Sequence, residues 1–249
     1  MKLSNIVISL ICLSSMMLIL GQASRSNIED NLNLSSINII DKNTESVIKS
    51  SHEESSKEDK IQNEKELKEK KDRKEKKLKQ EEIERKNSVT YVRNNIKIAS
   101  NISKEEMKNV LLTYNGSSTM AHLADALVDS EKKYGVNSFV MAAIVALESG
   151  FATSRRAVED NNLTGYEVYS DDSEGRLFSS QYESVVQTAR HLSQNYLTKG
   201  AIHYNGMSVD AVQIKYCPDE GKDKQWETKV DKLASGFLKK YKEIYVYNK

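Results

Sequence analysis

Aromatic side chains are confined to one part of this chain, and that limits where it can fold. Tyr, Phe and Trp lie after residue 90, and the stretch before them is polar or charged once an apolar start is passed. A core needs large apolar side chains, so the folded part is expected at 90–249. That is enough chain for one compact domain with a solvent-excluded site. Lys and Arg number 37 against 36 Asp and Glu, a net charge of +1. Dedicated nucleic-acid binders carry a clear basic excess, so no nucleic-acid partner is expected.

Residues 1–23 read as a signal peptide. Lys2 supplies the positive start, Ile6 to Leu20 form a mostly apolar run, and Gly21-Gln22-Ala23 suits cleavage after Ala23. The alternative is an uncleaved membrane anchor, for which the run is short. Either way the mature chain is expected outside the cell, secreted or wall-associated. Cys12 leaves with the peptide, so Cys217 has no disulfide partner and reads as a small buried residue. Residues 24–56, rich in Ser, Asn and acidic residues, read as a disordered spacer. Residues 57–89 read as a charged linker, helical or disordered. Acid-to-base pairs such as Glu64–Lys68 and Glu75–Lys79 recur at helical spacing. Ile61, Leu67, Leu78 and Ile83 keep no heptad, which argues for a solvated spacer and against a coiled coil.

Beyond residue 90 the helix signals become regular. Ser103 and Glu106 form a capping box ahead of Met107, Val110 and Leu111. Further helices fit Ser118–Tyr134, closed by Gly135, and Ser138–Glu148, capped by Asn137 and followed by Gly150. Three more fit Ser180–Tyr196, Ser208–Tyr216 and Gln225–Lys242. Residues 151–179, with Asn-Asn, Asp-Asp and two Gly, form an irregular lobe with short β-like pieces at most. The expected class is mainly α.

Glu148 breaks the pattern. It ends the run from Phe139 to Leu147, apolar almost all round and so expected to be buried. Ile144, Val145, Met141 and Val140 precede it on the same stripe. Its place in the last turn sets it against the helix dipole. Apolar enclosure and that dipole both favour the neutral carboxyl, the form that a general acid uses.

The segment Tyr134 to Glu148-Ser149-Gly150, followed by Thr153-Ser154 and Asn161-Asn162-Leu163-Thr164-Gly165, resembles the glucosaminidase domains of glycoside hydrolase family 73. Phe178-Ser179-Ser180, Asn195 to Thr198, Tyr204-Asn205-Gly206, Tyr216 and Trp226 extend the likeness over roughly 105–245. The resemblance implies a lysozyme-like helical domain with a small irregular or β lobe. It also implies peptidoglycan glycan strands as partner, with the β-1,4 bond between N-acetylglucosamine and N-acetylmuramic acid as the bond cut. By it Glu148 is the proton donor and Tyr216 lines the cleft beside the reacting sugar. Asn161, Asn162 and Gly165 shape the loop next to the acid, and Phe178 and Tyr204 join them on the substrate side. The protein is expected to act as a monomer.

A second acidic group would come from Glu167, Asp171, Asp172 or Glu174. Glu174 is preferred because it precedes Gly-Arg-Leu-Phe-Ser-Ser near the expected lobe hairpin. Inverting, retaining and substrate-assisted routes stay open. No cofactor is implied, and His52, His122, His191 and His203 lack metal-ligand spacing, so no metal is expected. Thr164 stands where the family usually has Phe, Cys217 and Pro218 replace small residues, and Glu220 to Lys224 look inserted. A lytic transglycosylase, or a wall-binding or assembly protein without turnover, are the competing readings.

Overall fold

In the computed structural model the described residues are 42–168, 174–218 and 225–247, with side chains from Gln62 onward. The signal-peptide and Asp171–Asp172 readings fall outside them. The chain divides into two units, 1–63 and 64–249. Helix α1 runs Lys42–Ser88. It begins well before residue 57 and so takes in the end of the stretch expected to be disordered. No Gly or Pro falls between Gly21 and Gly116, so nothing in the sequence stops a nucleated helix from propagating. No described helix is long and apolar enough to cross a membrane.

The core is built around α4 (Ser138–Ser149), in which every residue from Phe139 to Ala146 is buried. Its start is tightly held. Asn137 accepts from the Phe139 amide, and the Glu131 carboxylate accepts from the Ser138 amide at 2.5 Å. A carboxylate at that end also complements the helix dipole. Against it pack α3 (Ala124–Tyr134), α6 (Gln181–His191) and α8 (Trp226–Lys242), and α2 (Lys104–Thr113) and α7 (Val209–Tyr216) pack in turn on α8. The capping box of Ser103 and Glu106 forms as the sequence reads.

Three boundaries differ from the sequence reading. Ser118–Leu123 is a 3₁₀ turn ahead of α3, and its tighter winding puts Met120 and Leu123 on one buried side. Leu192–Tyr196 continues α6 as a π-helical turn, and Glu243–Tyr247 does the same for α8. The lobe between α4 and α6 holds the short helix α5 (Arg155–Glu159) and no strand among the described residues. Side chains that bond backbone groups, such as Asn162, and a few backbone bonds shape its described part, which is irregular.

Helix α8 approaches the loop after α2 closely because residue 236 is Gly. A Cβ there would lie 2.5 Å from the Tyr114 hydroxyl and 2.9 Å from its ring. That ring cannot retreat freely, since it packs edge-on against Phe237 at 4.6 Å. Gly→Ala usually favours a helix, by about 1 kcal/mol. Here overpacking should win: Gly236→Ala is expected to destabilise the domain by about 1–3 kcal/mol, read from a urea melt. A stabilised variant would show that Tyr114 yields without strain.

Candidate active site

Helix α4 stops one residue after Glu148, and the stop is over-determined. Gly150, Phe151 and Ala152 are all left-handed, with φ of 57°, 60° and 63°. Such a conformation costs a non-glycine residue about 1–2 kcal/mol. It is held by the Phe151 amide donating to Ala146 at 2.9 Å and the Ala152 amide donating to the Ser149 hydroxyl at 2.7 Å. Thr119 Oγ1 donates to the Phe151 carbonyl from the far side. The chain therefore turns away sharply and leaves Glu148 at the helix tip.

Glu148 is exposed, whereas Met141, Ile144 and Val145 on its stripe are buried. The apolar enclosure expected for it is therefore corrected. The stripe points into the core, but it ends at Glu148, which is exposed although Ala146 and Ser149 in the same turn are buried. What holds the carboxyl is polar: Trp226 Nε1 donates to Glu148 Oε1 at 2.7 Å. Indole N–H is a donor only, so Oε1 serves as the acceptor in either protonation state. The proton of a neutral Glu148 then belongs on Oε2.

Trp226, the first residue of α8, is buried, and its ring lies 5.1 Å from that of Tyr216 at the end of α7. Burial, and then the negative charge of Glu148, push the Tyr216 hydroxyl well above its ordinary value. Tyr216 thus stays a hydrogen-bond donor beside the carboxyl. The ring contacts continue outward. Tyr216 meets Tyr196 at 5.7 Å, Tyr196 meets His191 at 5.6 Å and His203 at 4.9 Å, His191 meets Tyr166 at 5.3 Å, and Tyr166 meets Phe178 at 5.9 Å. Trp226, Tyr196 and Phe178 are buried, and Tyr216, His191, His203 and Tyr166 are half-exposed in front of them. The result is a continuous aromatic wall of ring contacts from Glu148 to the lobe.

The other sequence candidates are spread unevenly about this wall. Asn162 is buried and fully used: Nδ2 donates to the Tyr166 and Arg176 carbonyls, and Oδ1 accepts from the Tyr166 amide. Asn161, left-handed at φ 54°, donates to the Phe178 carbonyl at 3.1 Å. Gly165 is also left-handed. These residues shape the lobe, and Phe178 backs the wall from inside it; the Asn162 amide is spent before any ligand arrives. Thr164 is buried too, bonded to Thr188 of α6 at 2.7 Å. Tyr204 is half-buried in the loop after the π turn, and no ring contact ties it to the wall among the described residues. Glu174 is exposed, and its carbonyl accepts from Arg156 at 2.8 Å. Glu167 is paired with Arg176 at 3.7 Å, and its charge reaches His191 on the wall.

Sequence reasoning gave no site role to Trp226, Tyr196, His191 or Tyr166. Trp226, as the indole beyond Tyr216, and Tyr196, within the Asn195–Thr198 match, carried a signal. Among the described residues no three His, Cys, Asp or Glu side chains gather as metal ligands. His122 bonds Gln181 instead, at 2.6 Å.

Residues 124–239 match the glucosaminidase family model, described as mannosyl-glycoprotein endo-beta-N-acetylglucosaminidase. Two curated relatives from strains of Streptococcus pneumoniae, each called "Putative endo-beta-N-acetylglucosaminidase", are 23% identical over 124 residues. The match takes in 49% of this chain but only 19% and 18% of theirs, so the chain spans about a fifth of their length. Among solved structures, Autolysin E of S. aureus is similar at 16% identity over 66% of this chain and 78% of that one, with a TM-score of 0.45. That structure is a catalytic mutant in complex with the disaccharide NAG-NAM. A second Autolysin E structure, bound to a muropeptide, gives a TM-score of 0.44.

Proposed function

We propose, from the match of residues 124–239 to the glucosaminidase family model, that the chain hydrolyses peptidoglycan between N-acetylglucosamine and N-acetylmuramic acid. Glu148 is the general acid in this reading. The observation that carries it is the indole–carboxyl bond of 2.7 Å at the end of an aromatic wall. Trp226 occupies Oε1, so Oε2 is the oxygen that delivers a proton to the leaving sugar. A glycosidic oxygen is a poor leaving group until it is protonated, and a positioned acid contributes about 10²–10⁴ in rate. Tyr216, kept protonated, donates a hydrogen bond beside the reacting sugar. The wall offers ring faces to the sugars on one side of the scissile bond.

For a partner carboxylate, Glu174 is the candidate that the sequence prefers. Glu167 competes with it, because its charge reaches the wall. The enzyme acts on the wall outside the cytoplasm, to which the signal-peptide reading of residues 1–23 would deliver it.

Mass spectrometry of digested peptidoglycan tests the reading. Reducing N-acetylglucosamine ends are expected. Anhydro-muramic ends would replace it with a lytic transglycosylase, and binding without cleavage would leave a wall-binding protein.

A further inference from the structure

The α6 helix gives way to a π turn directly after His191. Such widened turns are costly and gather at functional sites. Within this turn Asn195, four residues on, places Nδ2 2.8 Å from His191 Nδ1, and the Tyr166 hydroxyl lies 3.4 Å from the same nitrogen. The arrangement is braced from the following loop, where the His203 amide donates to the Asn195 carbonyl at 3.0 Å.

In the orientation it holds, the Asn195 amide presents its NH₂, which can only donate, so Nδ1 is the acceptor. The proton of the neutral ring is then on Nε2. Nε2 makes no hydrogen bond among the described residues, and it is not sealed from solvent. Burial, and then the neighbouring His203, lower the pKa of His191, with Glu167 opposing. The imidazole is therefore neutral at neutral pH. It stands half-exposed between Tyr166 and Tyr196, on the wall that ends at Glu148. One uncharged, pre-oriented N–H set among apolar ring faces suits a neutral carbonyl that carries a methyl group. A carboxylate would call for a cation, and Arg176 is already paired with Glu167.

We infer that His191 is a positioning residue whose Nε2–H binds the acetamido carbonyl of an N-acetyl sugar on the glycan strand, away from the bond that is cut. The inference rests on the reading of the chain as a peptidoglycan glycosidase. It assigns His191 a part in binding and none in the chemistry.

The test uses the full chain and a tetrasaccharide of alternating N-acetylglucosamine and N-acetylmuramic acid. Long-range ¹⁵N spectra of the Glu148→Gln chain should show the Nε2–H tautomer at His191, with its Nε2 resonance moving as the tetrasaccharide is added. His191→Phe keeps a ring in the wall and removes the donor. It should weaken binding and raise KM about three- to tenfold, the worth of one neutral hydrogen bond, with kcat nearly unchanged. His191→Gln carries an N–H to nearly the same place and should recover most of the loss. An Nδ1–H tautomer, or equal binding by the wild type and His191→Phe, overturns the inference. A chain that binds the tetrasaccharide without cutting it refutes the hydrolytic reading and leaves these measurements to decide on His191. A chain that ignores the tetrasaccharide refutes both.

Discussion

Glu148→Gln is expected to remove at least about 10²–10⁴ of the rate of peptidoglycan cleavage, with no loss of fold. The two halves of that expectation come from separate observations. Glu148 is exposed at the tip of α4, so the core does not depend on it. Gln has the same shape, and its Oε1 can still accept from Trp226 Nε1, the 2.7 Å bond that orients the wild-type group. What disappears is the acidic proton at the second position. Circular dichroism and the melting temperature should therefore match the wild type while clearing of a wall suspension stops. Trp226→Phe makes the complementary change. It keeps a ring against Tyr216 but frees Oε1, so the acid stays present without its orientation. A lost bond to a charged or proton-donating carboxyl is worth about 1.5–3 kcal/mol, so cleavage should fall roughly ten- to a hundredfold. Full activity in Glu148→Gln would end the assignment of the acid. Full activity in Trp226→Phe would show that Oε1 needs no anchor.

The helices and the acid's address were legible in the sequence because both depend on local chemistry. Asn137, Ser103, Ser180 and Ser208 all cap the helices that follow them, since a cap needs only a short polar side chain three residues or fewer from an orphan amide. The environment of Glu148 was not legible. Helical spacing put it on an apolar stripe, but spacing cannot say where along its length a helix leaves the core. The wall was hidden for a related reason. Its rings come from the lobe, the π turn, α7 and α8, and a π turn moves Asn195 and Tyr196 off the positions that a 3.6-residue period would give them. The roles of Asn161 and Asn162 were half legible. Turn chemistry is visible in an Asn-Asn-Leu-Thr-Gly run, whereas the carbonyls of Tyr166, Arg176 and Phe178 that absorb their amides lie further along the chain.

Arg85→Leu should cost about 2–4 kcal/mol of stability, the range for stranding a buried carboxylate, lowered because Arg85 is partly open to solvent. Glu106 is 5% exposed. Its two oxygens take the Arg85 fork at 2.6 and 3.0 Å, and the Ser103 amide donates to it at 2.9 Å. Burial alone would push the Glu106 carboxyl up. Arg85 and the Ser103 amide and hydroxyl outweigh that and hold it below the usual carboxylate value. The pair therefore stabilises the fold fully above the unfolded-state pKa of about 4.3, and the contribution fades as pH falls through the lower folded value. In Arg85→Leu the balance reverses. A carboxyl without its cation protonates more readily on burial, so acid relieves the variant as it weakens the wild type. The stability gap from urea melts should be widest near neutral pH and shrink toward pH 4. Adding Glu106→Gln should recover part of the loss, because Gln is uncharged and its Oε1 can still accept from the Ser103 amide. A gap that is small at neutral pH, or independent of pH, would mean that solvent at the Arg85 end already screens the pair and that the last turn of α1 is not held to α2 by charge.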